Sequence, residues 1–173
     1  TFRGAARSRG RDAQGAARLM RLNLSVQYAC ARDACPPRDD VKRWVRAALD
    51  PDVVVRADIT VRFVDAEEGR ALNLEYRGRD YATNVLSFPA AQNPEGFLGD
   101  LALAFGVCAR EADQQNKSLA DHLQHLVAHG VLHLVGYDHM NEDEAADMEG
   151  LERRILAGLG VADPYAAEQG DHD

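Results

Sequence analysis

The segment "HGVLHLVGYDH", His129 to His139, sets histidines at i, i+4 and i+10, with Gly136 at i+7. Two side chains four residues apart on a helix sit about 40° apart around its axis, so both imidazoles leave the same face and can reach one ion. The spacing predicts that they ride on a long helix over about 110–135. Gly136 ends it, because a left-handed residue after the last turn costs glycine least. The chain then reverses and brings His139 back to the same point. Three neutral imidazoles form a zinc-type ligand set that leaves a fourth position open to water, which is the form of a catalytic centre rather than a structural one. One zinc ion per chain is expected, at the end of that helix.

One large group of zinc peptidases spaces its ligands in this way, in the pattern H-E-x-x-H-x-x-G-x-x-H, with the glutamate as general base. Here that position is Gly130. Zinc alone can lower the pKa of bound water to about 7. A peptidase must also protonate a poor amine leaving group, and the missing glutamate is the residue that would carry that proton. A phosphodiester asks instead for its negative charge to be neutralised as more develops, a task suited to arginine, which is always charged and can hold phosphate at two points.

Outward from this stretch the chain alternates between strand and helix patterns. "LNLSVQYA" (22–29) alternates Leu22, Leu24, Val26 and Tyr28 on one side and reads as a strand. "RDDVKRWVRAALD" (38–50) repeats Val41, Trp44, Val45 and Leu49 at helical spacing. "VVRADITVRFVD" (54–65) puts Val55, Ala57, Ile59, Val61 and Phe63 on one face, the clearest strand in the chain. Asp65 caps a following helix, "AEEGRALNLEYR". "TNVLSF" and "DLALAF" read as neighbouring strands joined by the Pro- and Gly-bearing loop "PAAQNPEGFLG". A last helix starts at Asn141, with Glu144 in the capping-box position and Ala145, Met148, Leu151 and Ile155 turned to the core. The class is α+β: a small mixed sheet of about four strands with packed helices.

The 173 residues suit one domain over 20–160. Residues 1–19 are rich in Arg, Gly and Ala and are expected to be disordered. Three readings fit them: an extension upstream of a natural start at Met20, a basic RNA-contacting arm, or an organelle-targeting peptide. Residues 161–173 read as a flexible acidic tail. The formal charge of −8 argues against a chain that coats nucleic acid through a broad basic face, though a local basic groove is compatible with it. No secretory h-region and no apolar run of membrane-spanning length are present, so no membrane association is expected. Cys30, Cys35 and Cys108 lack metal-type spacing and read as reduced thiols of a cytoplasmic protein.

The signature "HGVLHLVGYDH" resembles that of the YbeY-type endoribonucleases, the bacterial rRNA maturation factors. "LNLEYRGRDYATNVLSFP" (72–89), "LGDLALAF" (98–105) and "HLQHLVAHG" (122–130) resemble that family's other blocks, so the likeness spans about 20–160. It implies that His129, His133 and His139 hold zinc and that Arg77 acts on the phosphate. It further implies that Arg79, Asp80, Thr83, Asn84 and Ser87 line a substrate groove. The family is metal-dependent and specific for single-stranded RNA, and it acts in 16S rRNA 3′-end maturation and ribosome quality control, which makes rRNA and the small ribosomal subunit the expected partners.

Read from chemistry alone, several residues stay open. Arg77 is either a solvated helix-end charge or a phosphate ligand. Asp100 is either a turn residue or a carboxylate replacing the missing base. His122 and His125 either support the site or lie on a part-exposed polar face. Asp138 either forms the turn or orients an imidazole. Tyr76, Tyr81, Phe88 and Tyr137 are the aromatic candidates for contact with a single strand. Two other functions also fit: a peptidase or amidase on the same metal scaffold, and a ribosome-assembly factor with weak or partner-dependent cleavage.

Overall fold

The computed structural model describes residues 20–90, 97–138 and 140–166. Strand β1 (Arg21–Ala29) is followed by a 3-10 turn (Arg32–Ala34) and helix α1 (Arg38–Ala47). Strand β2 (Arg56–Val64) leads into α2 (Ala66–Arg77), then β3 (Val85–Pro89) and β4 (Phe97–Ala104). Helices α3 (Phe105–Gln114), α4 (Leu119–Leu134) and α5 (Glu142–Gly158) complete the described chain. The sheet order is β1-β2-β4-β3. β2 runs parallel to both of its neighbours, and β3 pairs antiparallel with β4. The expected α+β class and four-stranded mixed sheet are therefore observed.

Alternation explains the strands. Ala57, Ile59, Val61 and Phe63 on β2 are all buried, while Val55, ahead of the strand, is 74% exposed and does not join their face. Trp44, Val41 and Val45 of α1 meet Leu126, Val127 and Val131 of α4 in the main core over the sheet. Each fully buried aliphatic side chain there contributes about 1.5–3 kcal/mol. A smaller cluster of Val64, Ala104 and Val107 packs with Leu72 of α2 and with Ala82.

The single long helix expected over 110–135 is two. α3 closes at Gln114, Asn116 takes a left-handed φ of 56°, and Ser118 starts α4 by accepting the Asp121 N–H at 3.0 Å. A side-chain N-cap offers the new helix a hydrogen bond that the unbroken one would lack. The last helix begins as expected, Asn141 Oδ1 accepting the Glu144 N–H at 2.8 Å. Its buried stripe is Met148, Glu152 and Leu156, with Ala145, Leu151 and Ile155 only half-buried beside it.

β3 is an edge strand. Asn84 C=O accepts the Ala104 N–H at 3.0 Å, and Ala90 N–H donates to Leu98 C=O at 3.1 Å. Antiparallel pairing alternates, so Val85, Ser87 and Pro89 turn their main-chain groups away from β4.

Candidate metal centre

Helix α4 carries His125, His129 and His133, one turn apart each, along the wall of a cleft of about 930 Å³. The opposite wall is β3 with the end of α2, including Tyr76 and Arg77. α4 ends in a Schellman turn. Gly136 takes φ 110°, its N–H donates to His133 C=O at 3.1 Å, and the Tyr137 N–H donates to Leu132 C=O at 3.0 Å. The chain thus reverses at Gly136 as the sequence predicts, and Tyr137 and Asp138 join the lining of the cleft. His139 lies outside the described residues. Among the described residues, no group of three His, Cys, Asp or Glu side chains could hold a metal ion.

The geometry of the described pair suits an ion. Nε2 of His129 and Nε2 of His133 face each other at 3.2 Å. Two nitrogens each bound to one tetrahedral zinc at about 2.0–2.1 Å would stand about 3.3 Å apart. Nδ1 of His129 lies 2.7 Å from Oε2 of Glu152. An ionised carboxylate only accepts, so Nδ1 carries the proton and Nε2 keeps its lone pair for the cleft.

Glu152 is the residue that the sequence reading missed. It is fully buried on α5. Besides the His129 ring it accepts from His125 Nε2 at 2.7 Å and from the Tyr165 hydroxyl at 2.5 Å. Burial alone would push this carboxyl up, but the three donors outweigh burial and bring it down to about 2. Burial and the adjacent carboxylate together push the Tyr165 hydroxyl well above its ordinary range. The signal was available: Glu152 follows Met148 by four and precedes Leu156 by four, a charged residue on the apolar stripe of its helix. Of the expected tail 161–173, the described part is fastened by this network. Val161 is buried, Arg153 pairs with Asp163 at 3.2 Å, and Tyr165 reaches Glu152.

Arg77 is brought to the cleft by the end of α2. Gly78, left-handed at φ 70°, turns the chain there, with the Arg79 N–H donating to Asn73 C=O at 3.3 Å. Arg70 holds Asp80 through two hydrogen bonds of 2.5 and 2.9 Å, and buried Asn73 donates to Tyr81 C=O at 2.7 Å. The loop that follows Arg77 is therefore fixed to its own helix. Thr83, Asn84 and Ser87 line the cleft, whereas Arg79 and Asp100 are exposed away from its lining. The Asn84 amide is already engaged. It donates to Glu111 at 3.0 Å, and Glu111 also holds His122 Nε2 at 2.9 Å. His122 thus ties α4 to α3 rather than facing the cleft. His125 does line the cleft, and it shares Glu152 with His129.

The absent glutamate now has a structural reason. Gly130 is buried against the sheet, and Ser87 Oγ donates to its carbonyl at 3.2 Å. A Cβ there would lie 2.8 Å from Cδ2 of Leu101. Position 130 faces β4, so no side chain placed on it would enter the cleft without moving the helix.

An α+β fold with a histidine-lined, arginine-flanked cleft is the layout of an enzyme. The model of the family described as endoribonuclease YbeY matches residues 30–160. The chain belongs to this family. It is 51% identical over 158 residues to the endoribonuclease YbeY of Stenotrophomonas maltophilia strain R551-3, covering 87% of this chain and 97% of the relative. It is 54% identical over 155 residues to that of Alkalilimnicola ehrlichii, covering 86% and 93%. A Thermotoga maritima protein whose solution structure is known matches with a TM-score of 0.58 at 20% identity, over 86% of this chain and 93% of the other, and so shares the fold.

Proposed function

We propose that this chain is a zinc-dependent endoribonuclease that cuts single-stranded RNA, with His129, His133 and His139 as the ligands of one ion and Arg77 as the phosphate-binding residue. The carrying observation is the pair of Nε2 atoms 3.2 Å apart, with His129 held from behind by Glu152. When bound, zinc supplies Lewis acidity and lets water ionise near neutral pH.

The chain's own residues do the rest. Glu152 keeps the proton of His129 on Nδ1 and orients the ring. Arg77 stands across the cleft, where a guanidinium can engage a phosphate at two points and neutralise the charge that grows during cleavage. Gly130 offers no base, which weighs against amide hydrolysis on this scaffold. The substrate we assign is rRNA at the 16S 3′ end, met on the small ribosomal subunit in the cytoplasm. Among the described residues no helix is long and apolar enough to cross a membrane.

The test pairs metal analysis with cleavage of a single-stranded rRNA-precursor fragment by the wild type, His133→Ala and Arg77→Ala. The wild type is expected to hold about one zinc per chain and to cut. His133→Ala should lose both properties. Arg77→Ala should keep the metal and lose cleavage. Three proteins that cut equally, or a wild type that cuts without any metal, would refute the assignment.

A further inference from the structure

Two large exposed side chains, Tyr76 and Tyr137, line the cleft, and Tyr76 is the one that stands beside Arg77 in the chain. Tyr76, immediately before Arg77 on α2, is 62% exposed and lines the cleft that also holds His129 and His133. Its ring is nevertheless supported. Its centroid lies 4.5 Å from that of Phe88 on β3, with the planes tilted by 59°. The exposed face of an aromatic ring braced from below, beside a cation, in a cleft of about 930 Å³, is a stacking surface in search of a flat ligand.

We propose that Tyr76, braced by Phe88, is the platform on which one unpaired nucleobase of the RNA stacks, placing an adjoining phosphate at Arg77. This inference rests on the endoribonuclease reading above and extends it to substrate selection. A base inside a duplex already has neighbours on both faces, whereas a base in a single strand can swing out and give a face to the protein. Every base has such a face, so the platform selects for single strands without reading sequence. Because Phe88 restrains the ring before substrate arrives, little freedom is lost on binding. Leu74 and Tyr81, 49% and 52% exposed, lie near in sequence, and a protein-docking patch is the competing use of this surface. Neither of them lines the cleft, and Tyr76 does, which favours RNA.

The experiment uses the full chain and a single-stranded oligoribonucleotide carrying 2-aminopurine at successive positions, with a chelator present so that the probe is not consumed. Wild type and Tyr76→Phe should quench the fluorophore at one position. Tyr76→Ala should lose the quenching and weaken binding by about 5- to 150-fold, the range of one base–aromatic stack. In cleavage assays with metal, the same variant should raise KM with little change in kcat, and binding of a blunt RNA duplex should be equal for all three proteins. Unchanged quenching and affinity in Tyr76→Ala would overturn the proposal. So would a Tyr76→Ala protein that binds the oligonucleotide normally but no longer co-sediments with small ribosomal subunits, a result that would assign the surface to protein docking. A wild type that neither binds nor cuts RNA would remove the endoribonuclease reading itself, and this inference with it.

Discussion

Replacing Gly130 by alanine probes the contact that excludes a base from the helix. The new Cβ would stand 2.8 and 3.2 Å from the two Cδ atoms of Leu101 and 3.4 Å from Ser87 Oγ. Comfortable carbon–carbon contacts begin near about 3.5 Å, so one atom pair overlaps by about 0.7 Å. Leu101 is 1% exposed and has little room to rotate. Such overpacking costs about 1–3 kcal/mol. If α4 retreats instead, the Ser87–Gly130 hydrogen bond of 3.2 Å is lost, a cost of about 1 kcal/mol. Against this, alanine improves helix propensity by about 0.8–1 kcal/mol. Subtracting this gain leaves an expected net loss of up to about 2 kcal/mol. Urea unfolding of the wild type, Gly130→Ala, Leu101→Val and the double variant reads it directly. The midpoint should fall at constant m-value in the first variant, and the cost of Leu101→Val should shrink in its presence. A stabilising Gly130→Ala, or strictly additive variants, would refute the tight approach of α4 to β4. Gly130→Glu, which would restore the peptidase motif on paper, should cost more than about 3 kcal/mol because a carboxylate would enter the same space.

Other consequences are open to direct measurement. Glu152→Gln replaces an acceptor with a group that also donates, so the Nδ1 proton of His129 is no longer fixed. Zinc affinity by competition with a chromophoric chelator should fall by about 10- to 100-fold, and an unchanged affinity would show that the ring needs no support from Glu152. His122 should titrate below 6.5, since burial outweighs the opposing pull of Glu111 and its Nδ1 has no partner among the described residues. Below that value the unfolded ring holds more protons than the folded one. The stability this group contributes is therefore complete above about pH 6.5 and is lost as pH falls through the folded pKa. NMR titration of the ring should give a midpoint under 6.5, with the neutral proton on Nε2. Cys108 is fully buried and its thiol is pushed up to about 12, chiefly by burial, so iodoacetamide at pH 8 should leave it unlabelled in the native protein and modify it only after denaturation.

What the sequence disclosed was what short-range chemistry encodes. Period-two alternation located β2, helical spacing located α1, and Asp65 and Asn141 marked helix starts through caps confined to four residues. The Gly136 turn was equally legible, because a left-handed φ has one cheap occupant. The break at Asn116–Ser118 was not. Its apolar residues continue on both sides, and the cap at Ser118 competes with a helix that the periodicity also permits. Glu152 escaped because its partners lie 23 and 27 residues away on another helix, a relation that no local pattern carries. Arg77, Asn84 and Ser87 line the cleft, but the Asn84 amide is held by Glu111, and Arg79 and Asp100 are exposed outside the lining. The order of such residues in a block does not say which of them the backbone turns inward.

Among the described residues β3 pairs on one side alone, and its other edge has a bearing on how this protein behaves in a crowded solution. A bare strand beside a cleft invites another extended chain to pair with it, plugging the cleft or linking copies into aggregates. Three positions face outward. The N–H of Val85 is taken by its neighbour Asn84 Oδ1 at 2.6 Å, and Pro89 has no N–H to donate. Ser87 alone can donate, so two of the three outward positions offer a carbonyl without an N–H, and a partner strand would find half of each of those pairings missing. The wall is thus accessible to substrate and a poor seed for self-association, and Pro89→Ala is the change that would remove part of that protection.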